Sequence, residues 1–211
     1  MSKKIMFEIA LLAGFLFSVF AEELCAYAES KDELTQDVFR LHVIANSDSD
    51  EDQTLKIRVR DAVLEAGGDI FSGADSAEVA KRLAEDNIEL FETAARECIA
   101  SEGYDYTVHC EVEKTHFDKR VYGTAELPEG DYCALRVIIG DGGGKNWWCV
   151  MFPTLCLPAV TNTDEMLLQA QKDGIITTEE LELMQNPENY EIRFYFAELF
   201  QKLLNRENNG A

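Results

Sequence analysis

Two adjoining stretches decide the fold: VFRLHVI at residues 38–44 and NSDSD at residues 46–50. The first is rich in β-branched and aromatic residues, and such a run predicts a short strand. The second consists of residues that favour turns and helix N-caps, so we expect the strand to end there and a helix to begin. Asp50, Glu51 and Asp52 then lie at the positive end of the dipole of that helix, which they stabilise.

Two helices are predicted after this junction. Both keep small and apolar side chains on one face, which is typical of helices that pack on a sheet. The first is predicted to end at Gly67-Gly68, because glycine favours the C-terminal end of a helix. The second and longer helix is predicted to begin at Asp75 or Ser76 and to end at Gly103.

The period of the sequence then changes to that of strands. Residues 104–113 alternate between apolar and polar side chains, which predicts a half-buried strand. A weaker extended segment covers residues 117–127, and residues 132–139 are apolar enough for a central strand. A glycine-rich loop at residues 140–144 leads to a further strand at residues 147–152. The middle of the chain is therefore predicted to be a sheet flanked by the earlier helices.

The last part of the chain returns to helical patterns. A helix is predicted over residues 164–172, and Thr177 with Glu180 forms a capping box for a second, short helix. A third helix is predicted over residues 191–204, followed by a polar tail at residues 206–211.

No internal repeat and no long linker divides the chain. We therefore expect one α+β domain at residues 29–205, with a mixed sheet of about four to five strands flanked by helices. Residues 1–28 form a separate N-terminal signal segment. Chain length and an apolar content of 46% are sufficient for a real core in such a domain.

Residues 1–28 have the features of an export signal. Lys3 and Lys4 form a basic head, residues 9–21 are an uncharged apolar run, and AYA at residues 26–28 has the small-x-small pattern that signal peptidase accepts. Cleavage is predicted directly after this motif. The alternative is an uncleaved membrane anchor, since the run is short but could span with help from its flanks. In both cases the segment contacts the membrane at least transiently.

The charge of the chain limits its partners. It has 19 Lys and Arg against 40 Asp and Glu, which gives a formal net charge of −21. Nucleic-acid binders neutralise phosphates with a basic face, and no cluster of Lys and Arg occurs after the N-terminus. We therefore expect no nucleic-acid partner.

Cysteine usage leaves disulfide bonds open. Five cysteines follow residue 28, an odd number, so at least one free thiol is expected. Cys149 and Cys156 are separated by six residues and could close a small disulfide, whereas the alternative is two buried thiols. No Cys-x-x-Cys motif occurs and no histidine has zinc-finger spacing, so neither a metal site nor a cofactor is expected.

Trp147 and Trp148 are adjacent on the last predicted strand. Adjacent side chains of a strand point to opposite faces, so one ring can enter the core while the other stays outside. An exposed tryptophan is a common anchor for a protein partner. The alternative, in which both rings pack under helices, fits the sequence equally well.

Two segments of the chain carry a family resemblance. The first is RLHVIANSDS at residues 40–49, which continues into EDQ at residues 51–53 and Lys-x-x-Val-Arg-Asp-Ala-Val at residues 56–63. The second is GKNWWCVMFP at residues 144–153. These motifs are long, and together they resemble the stage II sporulation protein R family (SpoIIR) of endospore-forming bacteria. The likeness covers most of the chain after the signal segment.

The resemblance implies a signalling protein and not an enzyme. Members of this family are made in the forespore and exported into the space between forespore and mother cell. There they trigger the membrane-embedded aspartic protease SpoIIGA, which processes the precursor of sigma factor E in the mother cell. The family provides no catalytic residues that could be carried over to this sequence.

We expect the residues of these motifs to act as partner contacts or structural elements, and they are Arg40, His42, Asn46, Asp48, Asp52, Arg60, Asp61, Trp147 and Trp148. One structural alternative joins Arg60 and Asp61 to Arg40 in a buried polar network that holds helix to strand. The rival function is a secreted cysteine-dependent hydrolase. That enzyme would need Cys149 or Cys156 as a free thiol of low pKa near a histidine.

Overall fold

The computed structural model describes residues 3–71, 73–122, 124–153 and 163–187. These residues form a mixed sheet flanked by helices, which confirms the expected α+β fold class. The elements are α1 (Lys3–Asp37), β1 (Phe39–Ile44), α2 (Asp50–Phe71), α3 (Ala77–Asp86), α4 (Ile88–Ser101), β2 (Val108–Phe117), β3 (Arg120–Tyr122), β4 (Ala125–Leu127), β5 (Gly130–Ile139), β6 (Asn146–Phe152), α5 (Thr163–Lys172) and α6 (Thr178–Gln185).

The main sheet is built around β1. Its strand order is β2-β5-β1-β6, with β1 parallel to β5 and antiparallel to β6, while β2 is antiparallel to β5. A parallel pair needs a long crossover connection, and here α2, α3, α4 and three strands lie between β1 and β5. Two of those strands, β3 and β4, form a separate hairpin. The predicted strands at residues 132–139 and 147–152 correspond to β5 and β6.

The two faces of β1 are buried against different parts of the protein. Phe39, Leu41 and Val43 belong to an apolar core shared with α2, α3 and α4. Arg40 and His42 point to the opposite face, because successive side chains of a strand alternate. There the end of α1, the β3–β4 hairpin, α5 and α6 enclose a second core. All six residues of β1 are buried, so neither of its faces is exposed to solvent.

α2 continues through Gly67-Gly68 to Phe71, so the predicted end of this helix is wrong. Gly67 is buried, and a Cβ atom there would lie 2.9 Å from the Phe71 ring and 3.3 Å from the Phe91 ring. These two rings stack with their centroids 6.1 Å apart. Gly67 therefore provides room for ring packing inside a continuing helix.

Two further predicted boundaries differ in the structure. The helix predicted to reach Gly103 begins at its N-cap Ser76 as expected, but it is broken at Asn87 into α3 and α4. The Asn87 side-chain amide donates a hydrogen bond to the Leu83 carbonyl at 2.8 Å, and such side-chain bonds compete with the helical backbone. The strand predicted from residue 104 begins only at Val108, so the residues before it form a loop.

α1 is one continuous helix with two different ends. Its segment Lys3–Glu22 is long and apolar enough to cross a membrane and is not buried by the domain. A signal sequence and a membrane anchor both satisfy that test. The other end belongs to the domain, since Leu34 is fully buried and Val38, directly after the helix, is 1% exposed. Cleavage after residue 28 stays a prediction, and it would leave both of these core residues in place.

The predicted helical hairpin near the end of the described chain is confirmed. α5 is followed by Asp173-Gly174, where the φ of Gly174 is 73°. The Thr177 side chain accepts the N–H of Glu180, and the Glu180 carboxylate accepts the N–H of Thr177 at 2.6 Å, which completes the capping box. The helix predicted at residues 191–204 and the tail at residues 206–211 lie outside the described residues.

Gly67→Ala and Gly68→Ala form a matched pair of substitutions in α2. A Cβ atom at Gly68 would meet nothing within 4 Å. We therefore expect Gly68→Ala to raise the free energy of unfolding by about 0.5–1 kcal/mol through helix propensity. Gly67→Ala gains the same helix propensity, but its Cβ atom would contact the Phe71 and Phe91 rings too closely. We therefore expect its free energy of unfolding to fall by about 1 kcal/mol. Urea denaturation measures both changes, and equal stabilisation by the two substitutions would contradict close packing at Gly67.

Candidate functional site

A polar junction, formed by Asn46, Ser47, Asp48 and Asp52, lies at the carboxyl end of β1. Asp52 is in the first turn of α2 and is only 4% exposed. Its Oδ2 atom accepts hydrogen bonds from Asn46 Nδ2 at 2.9 Å and from the Ser47 hydroxyl at 2.6 Å. The Tyr106 hydroxyl donates to the same carboxylate. One side chain thereby connects the end of the strand, the start of the helix and the loop before β2.

The negative charge of Asp52 is stabilised although the side chain is buried. Burial by itself raises the pKa of a carboxyl group. The hydrogen bonds from Ser47, Asn46 and Tyr106 outweigh burial and hold the pKa of Asp52 below its ordinary value. Burial and the contact with Asp52 raise the pKa of the Tyr106 hydroxyl. At neutral pH the carboxylate is therefore an acceptor and the phenol is its donor.

The polar junction also fixes the glycine loop, residues 140–145, between β5 and β6. Asn46 Oδ1 accepts the N–H of Asp141 at 3.0 Å, and Asp48 Oδ1 accepts the N–H of Lys145 at 2.8 Å. The side chains of Asn46 and Asp48 thus bond to main-chain groups almost a hundred positions later in the chain.

Two further contacts close the glycine loop onto the junction. Gly144 passes so near that a Cβ atom there would collide with the Ser47 carbonyl oxygen. The Lys56 ammonium group, on α2, donates to the Lys145 carbonyl at 2.9 Å and to Gln53 Oε1 at 2.6 Å. The predicted residues of the junction, Asn46, Asp48 and Asp52, all form hydrogen bonds within the chain, and their role as partner contacts stays a prediction.

Arg40 is a fully buried cation surrounded by aromatic rings. Its Cζ atom lies 4.0 Å from the Phe117 ring centroid and 4.8 Å from that of Tyr132. Nη2 donates to the Tyr122 hydroxyl at 2.5 Å, and Nε donates to the Cys149 carbonyl at 3.4 Å. Burial lowers the pKa of this guanidinium. Among the described residues no carboxylate bonds to it, so the faces of the rings take the place of a counter-ion.

His42 is a buried ring on the same face of β1. It packs edge-on against Phe117 and Trp148, with centroids 5.8 Å and 6.1 Å away. Neither ring nitrogen has a well-aligned hydrogen-bond partner. Burial lowers the pKa of His42, the charges of two nearby arginines lower it further, and the Asn146 side chain opposes this only in part. The imidazole is therefore neutral at pH 7.

Trp147 and Trp148 lie on opposite faces of β6, as the alternation of strand side chains predicts. Both rings are half-buried, so neither is fully inside nor fully outside the core. A guanidinium group stacks on each ring. The Arg60 Cζ atom lies 4.5 Å from the Trp147 ring centroid, and the Arg120 Cζ atom lies 4.4 Å from the Trp148 ring centroid. The Arg120–Trp148 stack is the more open of the two, because Arg120 is exposed.

The polar network suggested for Arg40, Arg60 and Asp61 is wrong. Arg60 bonds to its neighbour Asp61 at 2.5 Å and 2.8 Å on the surface of α2. That helix packs on the face of the sheet that carries Leu41 and Val43. Arg40 points to the other face, since side chains of β1 alternate, and cannot reach α2.

Cys149 is disulfide-bonded, which removes it as a free nucleophile. It also faces the core of α2, α3 and α4, on the other side of the sheet from His42. Burial raises the pKa of Cys110 to about 12, which suppresses its thiolate form. The free cysteines of the described chain are Cys25, Cys98, Cys110 and Cys133. Cys156 lies outside the described residues, so its pairing with Cys149 stays a prediction.

Three aromatic residues complete these sites although the sequence did not single them out. Phe117 and Tyr122 enclose Arg40, and Tyr106 donates to Asp52. An arginine on a strand that is buried on both faces needs polar or aromatic groups of the same chain around its guanidinium group. Only the pairing of β1 with later strands reveals which residues provide it. Within the described ranges, no group of three or more His, Cys, Asp or Glu side chains could hold a metal ion.

Asp52→Asn tests the buried charge of the junction through pH. A carboxyl group with a depressed pKa contributes stability above the unfolded-state pKa of about 4, and this stability is lost as the pH falls through the folded-state pKa. We expect the variant to be roughly 1–3 kcal/mol less stable than wild type at neutral pH. The difference should shrink as the pH falls below about 4. Urea unfolding over this pH range measures it, with the exposed substitution Asp86→Asn as control, and a difference independent of pH would contradict the role of the charge.

Comparison with known proteins assigns these features to a family. The family model of stage II sporulation protein R matches residues 35–162, a range that includes β1, the polar junction and both tryptophans. The chain is 34% identical over 165 residues to the stage II sporulation protein R of Bacillus subtilis (strain 168), which covers 78% of this chain and 74% of that protein. No solved structure matches. The chain belongs to the stage II sporulation protein R family.

Proposed function

We propose that this chain is an exported forespore signal that activates the membrane-embedded aspartic protease SpoIIGA, so that the precursor of sigma factor E is processed in the mother cell. The observation that carries the proposal is the family match over residues 35–162. Membership in that family supports a sporulation signalling role. The apolar and unburied segment Lys3–Glu22 is compatible with export into the intermembrane space.

The described domain is suited to act as a ligand. A ligand activates a protein only if it binds the active arrangement better than the inactive one. A preorganised surface favours such binding, because few side chains have to be ordered when the complex forms. The hydrogen bonds of the polar junction and of Arg40 hold the main sheet in one arrangement. The alternative function, a secreted cysteine-dependent hydrolase, is less well supported. Cys149, one of its two candidate nucleophiles, is disulfide-bonded and therefore not a free thiol.

We place the partner contact at the Arg120–Trp148 stack. Arg120 is exposed and lies over a half-buried indole, and Val121 beside it is 63% exposed. Arginine and tryptophan are the residues most often found at energetically dominant positions of protein interfaces. The Tyr122 hydroxyl donates to the Trp148 carbonyl at 3.2 Å, which connects the β3–β4 hairpin to β6 beneath the stack.

Co-expression in a non-sporulating host tests the proposed function directly. This chain, the cognate protease and the sigma-factor precursor are produced together. Cleavage of the precursor is expected only when this chain and its N-terminal segment are present. A catalytically inactive protease variant controls for cleavage by host enzymes. Absence of cleavage, with the protease shown to be present and folded, would contradict the proposal.

Arg120→Glu tests the contact surface. Because the side chain is exposed, the free energy of unfolding should change by about 1 kcal/mol or less. Precursor cleavage should fall at least about fivefold, since charge and stacking are both lost at the contact. Lys114→Glu makes the same change of charge at an exposed site on β2 and should leave cleavage unchanged. Equal cleavage with both variants would exclude the stack as a contact.

A further inference from the structure

Two adjoining concavities open beside Tyr104, in the loop before β2. The larger has a volume of about 420 Å³ and lies between the last turns of α4 and residues 104–108. The smaller has a volume of about 280 Å³ and lies between Tyr104, the first turns of α2 and Glu102. The Tyr104 ring borders both concavities. We call the combined depression the tyrosine groove.

The tyrosine groove is fixed to the interior of the protein. The rings of Tyr104 and Tyr106 stack, with centroids 5.4 Å apart and 25° between their planes. The Tyr106 hydroxyl donates to the buried carboxylate of Asp52, and Tyr104 packs against the core of α2, α3 and α4. Rigid tyrosines provide a large contact area at a low entropic cost, which is why they are frequent in protein-binding surfaces.

The rim of the groove has an excess of negative charge. Its two arginines are already paired with glutamates, Arg58 at 2.5 Å and Arg96 at 3.8 Å. Asp50, Glu51 and Asp105 are exposed, and within the described residues none of the three forms a salt bridge. A cation that enters the groove therefore meets carboxylates without a counter-ion from this chain.

We propose that the tyrosine groove binds a segment of the partner protease in which a lysine or arginine adjoins an apolar side chain. This inference rests on the proposed function and adds the chemistry of the partner segment. The apolar side chain lies against Tyr104 in the larger concavity, and the cation lies near Asp50 and Glu51. A second copy of this chain does not fit, because chains with a net charge of −21 repel each other.

The groove and the Arg120–Trp148 stack are two separate surfaces. Val108, directly after the groove loop, lies on β2, and Trp148 lies on β6, and these two strands form opposite edges of the main sheet. Tyr104 packs against the core of α2, α3 and α4, whereas Trp148 packs against the core on the other face. Substitutions at one surface therefore leave the other unchanged.

Charge reversal tests the groove with a matched control. The groove variant replaces three rim residues by lysine, namely Asp50, Glu51 and Asp105. The control variant replaces three exposed acidic residues outside the groove, namely Glu65, Asp86 and Glu89, so both variants have the same net charge. The full-length chains are purified in detergent, and their affinity for the solubilised cognate protease is measured at several salt concentrations. Precursor cleavage in co-expression is the second readout, and thermal unfolding reports whether each variant is folded.

We expect the groove variant to bind at least about tenfold more weakly than wild type and to lose most of the salt dependence of binding. The affinity of the control variant should stay within about twofold of wild type.

Ala100→Trp tests the apolar part of the site. Ala100 is exposed in the last turn of α4 and lines the larger concavity, which a tryptophan ring would fill. Binding should weaken to a similar degree.

The outcomes separate this inference from the proposed function. If the groove variant and Ala100→Trp both bind as tightly as the control variant, while wild type binds and activates the protease, the groove is overturned and the function is left intact. If Ala100→Trp binds more weakly but the groove variant binds like the control variant, the proposed lysine or arginine of the partner segment is overturned. A wild-type chain that neither binds nor activates the protease overturns the proposed function, and the inference with it.

Discussion

The ionised carboxylate of Asp52 is the constraint on which the rest of the structure depends. It accepts hydrogen bonds from the end of β1, from the turn before α2 and from the loop before β2. A buried charge is tolerated only where such donors surround it, and hydrogen bonds to a charged acceptor are stronger than neutral ones. Through Asn46 the same group also holds the glycine loop. The strand–helix unit, the loop that joins β5 to β6 and the tyrosine groove therefore share one anchor.

Two buried charges of opposite sign are stabilised by different means on the two faces of β1. Asp52 relies on directed hydrogen bonds, whereas Arg40 relies mainly on the faces of Phe117 and Tyr132 and on two acceptor oxygens. Neither charge is neutralised by an ion of opposite sign among the described residues. The sheet is thus held by polar contacts that require particular partners at particular positions.

Features set by neighbouring residues could be predicted from the sequence, and features set by distant contacts could not. The junction after β1, the strands β5 and β6 and the capping box at Thr177 follow from local pattern, and all are present. The role of Gly67 depends on the rings of Phe71 and Phe91, so the local pattern alone predicts the end of α2 at the wrong place. The partners of Arg40 belong to later strands, so the sequence around Arg40 does not predict them. The family was recognisable because both motifs are long, and it is confirmed.

The position of β1 in the chain limits how early in synthesis the main sheet can form. β1 is synthesised early but acquires its neighbours late, since Arg40 and the Cys149 carbonyl that it bonds are 109 positions apart. Topologies with such distant pairings close slowly. The sheet cannot close before residue 149 has been made, whatever route the chain then takes. If the chain crosses a membrane unfolded, as the proposed function requires, most of its length has crossed before β1 can pair with β5 and β6.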